Sequence, residues 1–395
     1  MPLDRLSRFI LLPELKLVRM TRERLSSGRL ECVKVAKLEF CPKCATPSQS
    51  TYDHRTVRVL DAPIRDKTTY LEIRKRRLWC KQCQKPFTEP VPGIRKKKRH
   101  TERYARTILW ACEHFSDLKQ VRKTYRCSAY FLYKIYYQKL SEKIQEKINY
   151  PWNHTIGIDE HAFKKANYAA PTEFVTMIVD YDNRRVRELV LGKTQAALSM
   201  QLSDVKGREN VKNVVLDLCD PFKNFAREFF PNARIVADKF HVLRLISPAL
   251  LRRRKEITGT RADLKAKRLL LMSIKNLSYE KRFALREFLK QYPDLHEIYT
   301  WKEKLHRFYR TLGYHNAAQA LRKLTDQMSW SSLPEIKTLR RTLLKWKEEI
   351  LAYFLTGLTN ARTEGFNNKA KVVKRKAYGY KSFQNYRLKV LTACA

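Results

Sequence analysis

Between residues 155 and 240 short β-branched runs and amphipathic stretches follow one another in an order that few folds accept. "TIGIDEHAF" (155–163), "EFVTMIVDYD" (173–182) and "RRVRELVLG" (184–192) read as three strands, the last two joined through the tight turn "YDNR". "KTQAALSMQLSDV" reads as a helix, "VKNVVLDLC" (211–219) as a strand, and "DPFKNFAREFFP" as a helix with proline at its start and just past its end. "ARIVADKF" (233–240) is a fifth strand. Three strands in succession are expected to pair antiparallel, and later strands reached through crossover helices to add in parallel. The expected class is α/β with a mixed sheet.

Other segments surround this one. Residues 1–94 carry strand-like alternation, as in "ECVKVAKL" (31–38), and two cysteine pairs. "EPVPGIRKKKRH" (89–100) reads as a linker. Residues 95–150 are otherwise helical: "TERYARTILWACEHF", then "SDLKQVRKTY" capped by Ser116, then "RCSAYFLYKIYYQKL" capped by Ser128. The last two, joined by a turn around Arg126 and Cys127, predict a helix-turn-helix. Residues 244–358 read as helices without a strand, an all-helical insertion that divides a catalytic domain into 151–243 and 359–395.

The mixed-sheet order is that of the ribonuclease H fold, and it gives the acids at its strand ends a meaning. Asp159 ends "IGID" and Asp217 ends "VVLD". In that fold their strands are neighbours, so two carboxylates stand side by side and raise each other's pKa unless a cation lies between them. Mg²⁺, which takes oxygen ligands, suits such a pair, and two ions together suit phosphoryl transfer. Glu364, in "NARTEGFNNKAKVVKRK" (360–376), is the expected third acid. Glu364, Asn367, Asn368 and Lys371 share one helical stripe, predicted to face away from packing; Phe366, Ala370, Val373 and Ala377 share another, suited to the core. The bland alternative is a solvated basic helix with one acid for balance. Asp238, beside His241, is an auxiliary candidate. Asp220 reads as an N-cap, and Glu160 points to the opposite side of the strand from Asp159.

Cys41-x-x-Cys44 and Cys80-x-x-Cys83 supply four thiolates on two knuckles, the pattern of a closed structural Zn²⁺ site, with a β-hairpin filling the stretch between. Such a site has no open position and implies no chemistry. Cys32, His54 and Cys112 read as bystanders.

Lys and Arg total 82 against 39 Asp and Glu, a formal charge of +43. Self-repulsion on that scale is tolerated where the partner is a polyanion. Ribosome association and an anionic membrane surface are the bland alternatives. No run approaches the 18 or so apolar residues of a spanning helix, and the "FILL" run at 9–12, with Asp4 before it, does not make a signal peptide. An intracellular, non-membrane, nucleic-acid-binding protein is expected. The run Arg95, Lys96, Lys97, Lys98 and Arg99 should neutralise phosphates without sequence preference. Arg122, Lys123 and Arg126 are candidates for phosphate, Tyr133 and Lys134 for base edges. Trp301 and Trp330 are candidates for stacking on distorted DNA ends, against the commoner fate of a tryptophan in a core.

"GIDEHAF", "LDLCDPF", "NARIVADKFHVLRL" and "NARTEGFNNKAKVVKRKAYGYKSFQNYRLKVL" resemble the catalytic blocks of bacterial insertion-sequence transposases of the ISL-three family. The resemblance spans nearly the whole chain. It implies a ribonuclease H-like DDE enzyme with Asp159, Asp217 and Glu364 as its acidic triad, an acid at the Asp238 point, and Mg²⁺ (two ions, or Mn²⁺) as cofactor. It further implies binding to the terminal inverted repeats of double-stranded DNA, cleavage and strand transfer, and a homo-oligomer on DNA in the bacterial cytoplasm, at the nucleoid. A non-catalytic zinc and helix-turn-helix regulator derived from such an enzyme accounts equally for charge and cysteines but leaves the acids unexplained. A structure-selective nuclease on the same fold would cut without joining.

Overall fold

The computed structural model describes residues 10–395 except 116, 149, 167, 169 and 260–263, with backbone alone at 22, 23, 146–148, 258 and 264–266. The chain divides into two compact units, Met1–Ser141 and Glu142–Ala395. The first unites the expected 1–94 segment with most of 95–150; the second contains the remainder.

In the first unit β1 (Leu15–Arg24) and β2 (Ser27–Lys34) form a hairpin, β3 (Glu39–Phe40) and β4 (Pro47–Ser48) a very short one, and β5 (Thr51–Ile64) and β6 (Lys67–Cys80) a long one. β7 (Lys85–Thr88) pairs with the end of β6, and β2 lies parallel to β6, giving the order β1-β2-β6-β5. Arg65 and Asp66 both adopt positive φ, the backbone a two-residue hairpin turn requires. Alternate residues of β6, Leu71 and Ile73, point inward against Leu30, Val59, Leu11 and Leu12.

The stretch expected to be a linker is tied down. Glu89 is buried and paired with Arg76, Val91 belongs to the core, and Leu60 bonds the backbone of Arg99 and Thr101. Its apolar residues pack while its basic ones stay outside. Helices Glu102–His114, Leu118–Tyr125 and Ala129–Ile148 follow. Ser128 caps the third as expected, its Oγ accepting from Phe131 N at 3.2 Å. For the second, the cap is Asp117, which accepts from Gln120 N at 2.9 Å; Ser116 lies outside the described residues. Asp117 stands immediately before the helix, where its side-chain oxygen reaches the third free N–H.

In the second unit β8 (Thr155–Lys164), β9 (Glu173–Asp180), β10 (Arg185–Leu191), β11 (Asn213–Leu216) and β12 (Arg234–Ala237) form one sheet in the order β10-β9-β8-β11-β12. The first three pair antiparallel; β11 pairs parallel with both β8 and β12. One face packs on helices Ala361–Lys376 and Phe383–Ala393 through Val175, Met177, Val215, Ala370 and Tyr386. The other face, carrying Ile156, Ile158, Val214 and Leu216, shares a continuous core with helices between Gln195 and Thr356, including Phe225, Leu295 and Ile350. Among the described residues of 244–358 the regular elements are all helices, and they pack onto the sheet. No described helix is long and apolar enough to cross a membrane.

Candidate active site and metal centres

Register brings the acids together. β8 and β11 are aligned with Ile158 opposite Leu216, and β11 and β12 with Leu216 opposite Ala237. One step further along these parallel strands come Asp159, Asp217 and Asp238, a row where β11 and β12 stop while β8 runs on to Lys164 beside β9. Burial, then the neighbouring Asp217 carboxylate, push the Asp159 carboxyl up to about 7. That is the response of a buried acid that has a second carboxylate beside it.

Two amides of one helix hold the pair. Asn360, at the cap of Ala361–Lys376, donates from Nδ2 to Asp217 Oδ1 at 3.0 Å. Asn367, two turns on, donates from Nδ2 to Asp159 Oδ2 at 2.6 Å. The backbone N–H of Asn360 also donates to Asp238 Oδ1 at 2.8 Å. Gly157 permits this approach, since the helix's Thr363 and the ring of Tyr181 crowd the place a β-carbon would take.

Asp238 caps helix Lys239–Arg244 through His241 N. Burial alone would raise its carboxyl, but hydrogen bonds from His241 and Asn360 hold it below the usual range. The His241 imidazole stands 2.9 Å from Asp217 and 3.0 Å from Asp238, and these carboxylates raise its pKa to about 10. The imidazole therefore bridges two carboxylates. The ligand atoms of Asp217, Asp238 and His241 all lie within 4.8 Å of one another. The carboxylate oxygens of Asp217 and Asp238, with Asp159 beside them, are the kind of donor a divalent cation takes, and such a cation would displace the His241 imidazole from them.

Glu364 lies one turn after Asn360 and three residues before Asn367, exposed, and among the described residues its carboxylate has no ion pair or hydrogen bond. Asn368 and Lys371 are exposed as expected. Asn367 is not: it is buried, so the polar stripe splits into an outer edge and an inward amide. The split follows from the polar strand residues Asp159 and His161 lying beneath it, which give a buried amide its partners. Glu160 lies near Lys193, at 3.9 Å. Asp220 is the first helical residue, Cys219 occupies the cap, and Asp220 pairs with Lys345 at 2.5 Å. The helix thus begins one residue earlier than expected, the Asp220 carboxylate being drawn to Lys345 instead of back to the helix N–H groups.

Sequence reasoning missed Asn360, Thr363, Tyr181, His161 and Tyr386. Only Asn360 left a signal, an amide four residues before Glu364 at a helix start. His161 is buried with Nδ1 2.9 Å from Asn367 Oδ1 and Nε2 2.7 Å from the Tyr386 hydroxyl. Burial lowers its pKa to about 4.

In the first unit the sulfurs of Cys41, Cys44, Cys80 and Cys83 all lie within 4.8 Å of one another. Cys41 and Cys83 are 4.0 Å apart, Cys44 and Cys80 3.4 Å. Four thiolates at about 2.3 Å from a tetrahedral Zn²⁺ stand roughly 3.8 Å apart, so the cluster fits. The Thr46 hydroxyl and backbone hold Cys44 down at about 6, whereas hydrogen bonding to Cys44 and burial push Cys83 up to about 12. One sulfur ionises readily and its neighbours then resist, which a bound cation reverses. Cys32 is buried in the β-sheet core, away from this cluster.

Arg95, Lys96, Lys97, Lys98 and Arg99 are all exposed, with Arg95 paired to Glu102 at 3.0 Å. Arg122, Lys123, Arg126, Tyr133 and Lys134 are exposed too; Lys134 Nζ donates to the Tyr130 hydroxyl at 3.1 Å. Arg126 takes the left-handed conformation between its two helices. Trp301 is buried, its indole N–H bonded to Glu297 at 3.2 Å, which removes it from the stacking candidates. Its helical position faces the core. Trp330 is 90% exposed.

The family comparisons place this chain, with its row of acids on a mixed sheet and its four-thiol cluster, among the insertion-sequence transposases. A family model described as transposase, the ISL3 group of DDE transposases, matches residues 156–390, and the chain belongs to that family. A second model, the zinc-finger of transposase IS204/IS1001/IS1096/IS1165, matches residues 37–83. The chain is 26% identical over 375 residues to the transposase for insertion sequence element IS1001 of Bordetella parapertussis, covering 91% of this chain and 89% of the relative. It is 24% identical over 388 residues to the transposase for insertion sequence element IS1557 of Mycobacterium tuberculosis, covering 88% and 84%.

Proposed function

We propose that the protein binds the terminal inverted repeats of its insertion sequence as an oligomer, and there cleaves DNA and joins the freed end to new DNA. The catalytic domain is read as ribonuclease H-like, formed by 151–243 and 359–395, with Asp159, Asp217 and Glu364 as ligands for two Mg²⁺ (or Mn²⁺) ions. The observation that carries the reading is the Asp159–Asp217 couple, aligned by parallel register and held by Asn360 and Asn367. Glu364 joins it because helical spacing puts it between those two amides, at the exposed edge where a DNA backbone can approach.

The ions would supply charge neutralisation at the phosphodiester and a nucleophile active at neutral pH. The protein's own part is geometric. Asp159 and Asp217 present oxygens at a fixed spacing, Asn360 and Asn367 orient them, and Asp238 holds Asn360 and His241 in place. Exposed Asn368 and Lys371 lie along the edge where phosphates would pass. The Arg95–Arg99 run and the paired helices after Asp117, read as a helix-turn-helix, serve DNA docking, and the zinc knuckle supports them structurally. The sheet-end site is read as bacterial and cytoplasmic in setting, at the nucleoid.

The test is incubation of purified protein with Mg²⁺ and DNA carrying the flanking repeats. Cutting at the repeat boundary, followed by strand joining, is expected for the wild type and lost in Asp217→Asn with DNA binding retained. Binding without cutting at any Mg²⁺ or Mn²⁺ concentration would instead identify a non-catalytic regulator, and cutting without joining a nuclease.

A further inference from the structure

Behind the Asn367–Asp159 bond runs a line of hydrogen bonds that the proposed chemistry does not use. The Tyr386 hydroxyl lies 2.7 Å from His161 Nε2, His161 Nδ1 lies 2.9 Å from Asn367 Oδ1, and Asn367 Nδ2 lies 2.6 Å from Asp159 Oδ2. Tyr386, His161 and Asn367 are almost wholly removed from solvent. They come from three segments: strand β8, the helix that carries Glu364, and the final helix Phe383–Ala393. His161 is two residues beyond Asp159 on the strand, so both side chains rise from the same face.

The directions of these bonds follow from the acid outward. An ionised carboxylate only accepts, so Asn367 must turn its NH₂ toward Asp159 and its oxygen toward His161. That oxygen requires a donor, so Nδ1 carries the imidazole proton. Nε2 is then the acceptor, and the Tyr386 hydroxyl, with one proton to give, directs it to Nε2 at 2.7 Å rather than to the Ala370 carbonyl at 3.4 Å. Remove the last donor and Nε2 is left buried and unpaired, while the other tautomer would set Nδ1 against the amide oxygen. Asn367 could then satisfy the histidine only by turning its oxygen toward Asp159.

We infer that His161 and Tyr386 are positioning residues that fix the amide of Asn367 and, through it, the aim of the Asp159 carboxylate at a divalent cation. This rests on the active-site reading of Asp159. Partners one step removed from a ligand commonly govern affinity by about 10- to 100-fold when removed. A merely structural role for the same residues would alter thermal stability and leave cation affinity untouched.

The experiment measures Mn²⁺ binding to the full chain without DNA, by the electron paramagnetic resonance signal of free Mn²⁺, alongside the melting temperature of metal-free protein. Tyr386→Phe keeps the ring and removes only the hydroxyl; acting through two intervening groups, it is expected to weaken Mn²⁺ binding by about 10-fold, the low end of that range, with its fold intact. His161→Leu should do the same, and His161→Gln, whose amide can donate to Asn367, should recover most of the loss. Wild-type Mn²⁺ affinity in folded Tyr386→Phe overturns the inference, whether or not His161→Leu folds. Asp159→Asn separates the two levels. If it abolishes Mn²⁺ binding while Tyr386→Phe does nothing, only the positioning role fails; if it binds Mn²⁺ like the wild type, the active-site reading fails with it.

Discussion

A β-carbon added to Gly157 would stand 2.1 Å from Oγ1 of Thr363. The ring of Tyr181 would be at 2.5 Å, so neither neighbour leaves room. The Glu364-bearing helix meets the first strand of the sheet this closely only because that strand has a glycine two residues before Asp159. Gly157→Ala should therefore push the helix outward and pull Asn360 and Asn367 from the acids. The expected cost is about 1–3 kcal/mol of stability, the usual penalty for overpacking. Cleavage should fall by about 100-fold, because small displacements of reacting groups are that costly. Urea denaturation and end-cleavage assays read the two effects, and wild-type cleavage would remove the packing argument.

Asn360→Ala and Asp217→Asn should fail differently. The first removes an orienting amide and leaves every carboxylate, so its cleavage defect, about 10- to 100-fold, should shrink as Mg²⁺ is raised. The second removes a proposed ligand and should stay inactive at any Mg²⁺ concentration. Titrating Mg²⁺ in parallel cleavage reactions distinguishes them.

One zinc per chain is expected in the purified protein, measured by elemental analysis. Cys80→Ser or Cys83→Ser should abolish it and destabilise the first unit, whose β6 ends at Cys80. The thiol protons of the four cysteines must leave when zinc binds. Zinc should therefore dissociate progressively as pH falls, followed by chelator colour change.

Replacing Lys96, Lys97 and Lys98 by Gln should weaken DNA binding equally for repeat and random sequence. For every phosphate these lysines no longer neutralise, the slope of log affinity against log salt should become shallower by about 0.9. Binding isotherms at several salt concentrations check this; a selective weakening on repeat DNA would make the run a sequence reader.

Trp301→Ala should cost about 3–5 kcal/mol, as deletion of a buried aromatic does. Trp330→Ala should lie within about 0.5 kcal/mol of wild type, as exposed substitutions away from special features do. Denaturant titrations of the two variants compare them directly.

The sequence alone determined the strand order of residues 155–237, the two cysteine knuckles and the helical block, because each depends on periodicity or spacing within a short stretch. Asp217 does follow the end of its strand, but Asp159, expected at a strand end, lies mid-strand because β8 runs on to Lys164 beside β9. The sequence also placed Asp159 beside Asp217, since strand order leaves that pair little choice. Tertiary structure alone decided which side chains those acids would meet. Asn360 and Asn367 reach them across more than a hundred residues of chain, and His161 finds Tyr386 across more than two hundred. Local pattern says which face of an element is polar but not what polar group will lie opposite, so Asn367 read as an outward residue and proved to be an inward one. The same limit hid the fate of Trp301 and the packing of residues 89–94. A helical stripe or a proline-rich stretch has no preferred side until another element closes over it.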